Sequence, residues 1–355
     1  MFWWHELVSG RRRGLRADLL RVVLTTLSLP YACGSNLRNW LYNQGLRPVL
    51  RADVPVVSIG NLTLGGTGKT PAVEYVARFY CALGIPPAIL SRGYGVSQGP
   101  NDEAKMLREL LPDVPHLQGP NRYLLAQQAV SQFGSRVLIL DDGFQHRRLQ
   151  RDLDIVTLDA TNPCGYGRIF PRGMLRESLD GLKRADIIWL TRCDLIEADA
   201  LEKLQFQIGQ GFPDKPLVTS RHRPLHLLRL PNEPQGEGLV TEIVALAELR
   251  NRPVAAFCGI GNPEAFGGTL SGLGCELIAF RRFPDHHRYS KEDVDSLRRW
   301  ASCLPEDVRI VTTHKDLVKL ACPDLAGRPL YALRVALEIL SGQDVLEDRL
   351  KGVVQ

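Results

Sequence analysis

The chain has 355 residues, 44% hydrophobic and 23% charged, with a net charge of +5. This is ordinary globular composition without repeats or low-complexity tracts, and it suffices for two domains or one large domain with an appendage. The mild positive charge does not by itself argue for nucleic acid, but it suits an anionic partner or a membrane surface. The eight cysteines (Cys33, Cys81, Cys164, Cys193, Cys258, Cys275, Cys303 and Cys322) form no C-x-x-C pair and have no histidine at zinc-ligand spacing. They read as scattered, reduced core thiols, which points to a reducing compartment and excludes a structural metal site.

Residues 1–50 differ from the rest. Phe2, Trp3 and Trp4 open the chain, and Arg11, Arg12, Arg13 and Arg16 follow. The apolar stretch from Leu19 to Pro30 is too short to span a bilayer and is interrupted by Arg21. Leu15, Leu19, Val22, Val23 and Leu27 share one helical face. Interfacial aromatics, a basic cluster and an amphipathic helix predict a segment lying on an anionic membrane. The rival is a core helix with a solvated basic face. A secretory signal is a second rival, and the loop that follows argues against it.

Pro55 to Ile59 is a short strand rich in β-branched residues, and it leads into Gly60-Asn61-Leu62-Thr63-Leu64-Gly65-Gly66-Thr67-Gly68-Lys69-Thr70-Pro71. Glycines let backbone N–H groups approach an anion, and a helix starting near Thr70 adds its N-terminal dipole. Residues Thr63, Leu64, Gly65, Gly66, Thr67, Gly68, Lys69 and Thr70 would cradle a nucleoside triphosphate. Lys69 would reach the β- and γ-phosphates, and the Thr70 hydroxyl would bind Mg²⁺. The strict pattern begins with glycine where this chain has Thr63. The plainer alternative is a Gly-rich turn with a solvated lysine.

A helix over residues 72–83, a strand over 87–91 and a turn at Arg92-Gly93-Tyr94-Gly95 come next. Helices over 102–111 and 121–133 precede a strand over 136–142 that ends in Asp141-Asp142. Strands over 154–159 and 186–191 complete an alternation that predicts an α/β fold: a P-loop NTPase-type doubly wound, mostly parallel sheet. Residues 221–224 and 231–234 are turn-rich. Beyond them a second, smaller αβ set has strands over 254–258, 276–280 and 309–313. The expected division is 1–50, 51–225 and 226–355.

Asp141-Asp142 occupies the position of a metal-binding carboxylate at the sheet's C-terminal edge, beside Lys69 and Thr70. One aspartate would serve Mg²⁺ and the other would assist. Arg147, Arg148 and Arg151 follow, and then Arg168, Arg172 and Arg176. Any of these could offset charge on a transferring phosphoryl group or hold an anionic substrate, Arg176 first among them. The turn Pro284-Asp285-His286-His287 offers a histidine that could pair with a carboxylate and help deprotonate a hydroxyl. Asp102 alone reads as a helix N-cap. Two rival functions arise from the same residues. Leu190-Thr191-Arg192-Cys193-Asp194 is close to the guanine-reading element of a P-loop GTPase, with arginine in place of lysine. A membrane-bound ATPase would need only the phosphate loop.

Taken in order, Gly60-Asn61-Leu62-Thr63, Gly65 to Pro71, Ser91-Arg92-Gly93-Tyr94-Gly95, Asp102-Glu103, Asp141-Asp142-Gly143-Phe144-Gln145-His146, Asp285-His286 and Thr313-His314-Lys315-Asp316 resemble the tetraacyldisaccharide 4′-kinase family, the lipid A kinases. The resemblance covers nearly the whole chain. It implies ATP- and Mg²⁺-dependent phosphorylation of the 4′-hydroxyl of an acylated glucosamine disaccharide 1-phosphate. It also implies two αβ domains, peripheral attachment to the cytoplasmic face of the bacterial inner membrane, no nucleic acid and no obligate protein partner. An aspartate–histidine pair assists the attacking hydroxyl in that family, and the role falls on Asp102 and His286. Where the family usually has glycine before the Asp-Glu pair, this chain has Asn101, and where it usually has glutamate in the last segment, this chain has His314. The resemblance assigns no chemistry to Thr313-His314-Lys315-Asp316.

Overall fold

The computed structural model describes residues 2–93, 102–231, 241–285 and 287–355. Helices α1 (Phe2–Val8) and α2 (Leu15–Asn43) precede β1 (Val56–Asn61), α3 (Lys69–Ala82), β2 (Pro87–Ser91) and α4 (Asp102–Leu110). Next come β3 (His116–Gln118), α5 (Arg122–Phe133), β4 (Val137–Asp141), β5 (Leu153–Asp159), β6 (Ile187–Thr191) and α6 (Ala198–Gly211). The chain continues through β7 (Leu217–Arg229), β8 (Glu242–Val244), β9 (Pro253–Cys258), α7 (Pro263–Gly272), β10 (Glu276–Arg282) and α8 (Lys291–Ser302). It ends with β11 (Arg309–Thr313), α9 (His314–Leu320), β12 (Asp324–Leu325), β13 (Arg328–Ser341) and α10 (Gln343–Gly352).

Two compact units result. The first comprises Met1–Pro100, Leu111–Arg221 and Ile339–Gln355, and the second Asn101–Leu110 and His222–Glu338. Local composition suggested contiguous stretches, but α4 leaves the first unit and the C-terminal residues return to it.

In the first unit the strands run β7-β6-β5-β1-β4-β2-β3. The pairs from β6–β7 through β2–β3 are parallel. Every residue of β1, β2, β4, β5 and β6 is buried. That is why these segments read as short continuous apolar runs rather than alternating ones. β1 lies between β4 and β5, where the direction of winding reverses. The loop after β1 therefore opens at the switch point of the sheet, the usual ligand position in such folds. In the second unit β10, β9, β11 and β13 lie side by side in that order, the neighbours parallel. β12 pairs antiparallel with β13. Phe257, Leu297, Leu317 and Leu330 form part of its core. The α/β class and mostly parallel sheet are as expected from the sequence.

Helix α2 runs through Pro30; an interior proline removes one backbone hydrogen bond, and the flanking turns carry the helix on. Two local expectations need correction. Residues 221–224 lie inside β7 rather than in a turn. Only Cys193 and Cys258 are buried, whereas Cys33, Cys81, Cys164 and Cys303 are exposed. All eight are free thiols, but most are not core residues.

The predicted apolar face of α2 points outward. Leu15 is 90% exposed and Leu19 67%, and Val22, Val23 and Leu27 are exposed as well. A core helix with a solvated basic face would have buried them. The side chains that tie α2 to the unit lie elsewhere. Asn39 donates to Glu177 at 2.7 Å, and Arg147 donates to the Asn39 carbonyl at 2.9 Å and to Asn43 at 2.8 Å.

Candidate active site

The phosphate loop joins β1 to α3 and is shaped by close backbone approach. A Cβ on Gly60 would lie 2.5 Å from Phe144 Cβ and 2.7 Å from the Phe144 nitrogen, so the residue before Asn61 can only be glycine. Gly65 and Gly68 have φ of 99° and 81°, the left-handed region that glycine enters without cost. Gly68 caps α3, which begins at Lys69. Thr70 thus stands in the first helical turn, where orphan N–H groups and the helix dipole favour an anion.

Three layers of contacts hold the loop. Asn61 Nδ2 donates to the Thr63 carbonyl at 2.7 Å. The segment carrying Arg176 runs beside the start of the loop: Leu64 N donates to Met174 O, and Arg176 N to Leu62 O, each at 2.7 Å. From the neighbouring strands, Thr157 Oγ1 meets Thr67 Oγ1 at 2.9 Å, and Thr191 Oγ1 donates to the Thr67 carbonyl at 2.9 Å. Arg192, with φ of 56°, turns its buried guanidinium onto the Gly66 carbonyl at 2.7 Å and pairs with Asp159. The segment that resembles a guanine-reading element therefore grips the phosphate loop through this arginine. The carbonyls of Gly66 and Thr67 are thus drawn to these donors. Arg192→Lys keeps the charge and loses the planar fork. It should weaken nucleoside triphosphate binding about tenfold, or ~1.4 kcal/mol, measured by nucleotide titration.

Asp141 closes β4 and is buried, and Asp142 follows with φ of 55°, a left-handed conformation that aspartate tolerates. Asp142 Oδ1 lies 3.5 Å from Lys69 Nζ, and both of its oxygens lie 2.9 Å from Arg176 Nη1. Burial pushes the Asp142 carboxyl up, but Lys69 and Arg176 outweigh it and bring the carboxyl down to about 2. Arg176 also reaches Gln145 Oε1 at 3.3 Å. Lys69, Asp142 and Arg176, expected from separate motifs, thus meet at the head of the phosphate loop.

The oxygen donors here suit Mg²⁺: the Asp142 carboxylate, the buried Asp141 carboxylate and the hydroxyl of Thr70 in the first turn of α3. Among the described residues no three His, Cys, Asp or Glu side chains cluster as an all-protein metal site.

Glu177 was not anticipated from sequence. It is 1% exposed and accepts from Arg184 at 2.9 Å, Asn39 at 2.7 Å and Gln145 at 3.2 Å. Its one local signal is its place beside Arg176. Three of the other arginines proposed for charge balance are otherwise engaged. Arg147 binds α2, Arg151 pairs with Asp154 at 2.7 Å, and Arg172 donates to the Val8 carbonyl at 3.3 Å.

Burial pushes His146 down to about 4, aided by the charges of Arg122, Arg151, Arg148 and Arg92. The unfolded chain therefore takes up this proton first as pH falls. Stability from this residue is complete above pH ~6.5 and is lost progressively down to pH ~4. For a half-buried group the loss by pH 5 should be about 1 kcal/mol. His146→Gln should flatten that part of a denaturation-versus-pH curve.

The second unit carries the other expected residues. Asp102 opens α4, its side chain outside the described portion, and His286 lies outside the described residues, as do Tyr94, Gly95 and Asn101. His287 is committed elsewhere: its Nε2 is 2.9 Å from Asp293 Oδ2, and its ring stacks on Phe283 at 4.8 Å.

A glycine-shaped loop at the switch point of a parallel sheet, with lysine, arginine and aspartate at its head, defines a P-loop nucleotide-binding enzyme. The family model for LpxK, tetraacyldisaccharide-1-P 4′-kinase, matches residues 20–355. The chain belongs to the tetraacyldisaccharide 4′-kinase family, the kinases of lipid A biosynthesis, as its motifs led one to expect. It is 41% identical to the tetraacyldisaccharide 4′-kinase of Anaeromyxobacter dehalogenans strain 2CP-C over 97% of this chain and 92% of that protein. It is 37% identical to that of Desulfatibacillum aliphaticivorans over 96% and 94% of the two chains. The "apo" form crystal structure of LpxK from Aquifex aeolicus, in complex with ATP, superposes with a TM-score of 0.72 at 30% identity. The match covers 95% of this chain and all of that one.

Proposed function

We propose that this kinase transfers the γ-phosphoryl group of ATP to the 4′-hydroxyl of a tetraacylated glucosamine disaccharide 1-phosphate. The observation that carries this reading is the meeting of Lys69, Asp142 and Arg176 at the phosphate loop. Residues 63–70 would hold the ATP phosphates. Thr70 and Asp142, with Asp141 assisting, would hold Mg²⁺, which when bound offsets charge on the β- and γ-phosphate oxygens. Lys69 and Arg176 would balance the charge that spreads over the transferring group. Asp102, assisted by His286, would accept the hydroxyl proton.

The substrate is a lipid, and we place the enzyme peripherally at the cytoplasmic face of the inner membrane. Support comes from the outward apolar face of α2, the exposed Trp3 and the basic run at Arg11, Arg12 and Arg13. Among the described residues no helix is long and apolar enough to cross a membrane. Leu19→Glu together with Val22→Glu should reduce co-sedimentation with anionic phospholipid vesicles about a hundredfold, since each side chain contributes ~1.5 kcal/mol or more when buried in lipid.

The function is tested by transfer of labelled γ-phosphate to a tetraacyldisaccharide 1-phosphate in detergent micelles, with GTP run alongside. Labelled lipid made from ATP supports the reading. Steady hydrolysis without lipid product would replace it with an ATPase, and a preference for GTP with a GTPase.

A further inference from the structure

The segment Thr313-His314-Lys315-Asp316 has no role in the reading above, yet it is built with care. Thr313 caps α9, its hydroxyl donating to Asp316 Oδ2 at 2.7 Å. Asp316 is fully buried and accepts from the Gly259 nitrogen at 2.9 Å, so the start of α9 is fixed to the end of β9. His314, buried, meets Glu109 of α4 at 3.1 Å. Lys315 is 14% exposed at its side chain, and its ammonium stands 3.7 Å from Glu103 Oε1 and 3.6 Å from Asp285 Oδ1. Glu103 is the residue after Asp102, and Asp285 is the residue before His286.

We propose that Lys315 is a positioning residue for proton transfer, one that draws the first turn of α4 and the Pro284-Asp285 turn to a single ammonium. The proposal rests on the assignment of Asp102 and His286 to the acceptor hydroxyl. Two carboxylates gathered around one cation stay together only while the cation is there; without it they repel each other. His314 and Glu109 fasten the far end of α4, so Lys315 sets its near end. The two chain positions of the dyad come from parts of the sequence far apart, and Lys315 meets the neighbours of both.

The test measures kcat and both KM values of the full-length enzyme in micelles, with thermal melting for each variant. Lys315→Met should lower kcat about thirtyfold with KM for ATP unchanged. Lys315→Arg should restore kcat to within about threefold, because it keeps a cation at the same place. In an Asp102→Ala background, Lys315→Met should cost nothing further, since residues acting as a unit are not additive. The proposal is overturned if Asp102→Ala lowers kcat while Lys315→Met does not, or if the two losses multiply. A wild-type kcat in Asp102→Ala would instead remove the base assignment on which the proposal rests. If Lys315→Met fails to fold, Glu103→Gln examines the same link: a kcat about tenfold lower with normal KM for ATP supports it, and a wild-type kcat rejects it.

Discussion

Lys69→Ala should lose at least about a thousandfold in lipid phosphorylation, equivalent to ~4 kcal/mol of transition-state stabilisation. Lys69 is the first residue of α3, presented by the left-handed turn at Gly68. Its ammonium is 13% exposed at the side chain and lies 3.5 Å from Asp142. Phosphoryl transfer proceeds through a loose transition state in which there is little covalent work for the protein, so catalysis falls to positioning and charge. Removing the ammonium takes away one of two cations at the head of the loop. It also takes away one of the two charges that hold Asp142 low, leaving a carboxylate less ready for a metal. Lys69→Arg should not restore activity, because a planar guanidinium is no substitute for a compact ammonium in a glycine-lined loop. The measurement is label transfer at saturating lipid. A Lys69→Ala enzyme with near-normal turnover would refute the nucleotide site.

What could be read from sequence follows distance along the chain. The phosphate loop was legible because strand, glycines, lysine and helix fall within some fifteen residues, and each has a local reason. Asp141-Asp142 was legible because an apolar strand delivers it to the right edge. The grip of Arg192 on the phosphate loop was not legible, because its partners Asp159 of β5 and Gly66 of the loop are distant in the chain and only the sheet order brings them together. Glu177 was missed for the same reason: Asn39, Gln145 and Arg184 converge on it from three separate segments. The membership of α4 in the second unit follows from its packing on α9, which no local pattern encodes. The family resemblance supplied order and chemistry, while the contacts that hold the site in shape came from packing.

Arg176→Met should lower kcat about a hundredfold, or ~3 kcal/mol, with a smaller effect on KM for ATP. The backbone fixes this arginine: its nitrogen donates to Leu62 O at 2.7 Å, one residue from the phosphate loop's start at Thr63. The neighbouring Glu177 is anchored on three sides, so the segment has little freedom to move. The guanidinium holds Asp142 through both carboxylate oxygens, and it is 22% exposed at the side chain, open enough to meet a ligand. Two roles are possible for such a residue, and magnesium separates them. If Asp142 binds the cation while Arg176 turns to the phosphoryl group, Asp142→Asn should raise the Mg²⁺ concentration for half-maximal rate, and Arg176→Met should leave it unchanged. An arginine that only held Asp142 in place would shift that concentration in both variants. We expect the first outcome, because a guanidinium beside a phosphate loop lowers a barrier more by facing the developing charge than by neutralising a carboxylate that Lys69 already pairs.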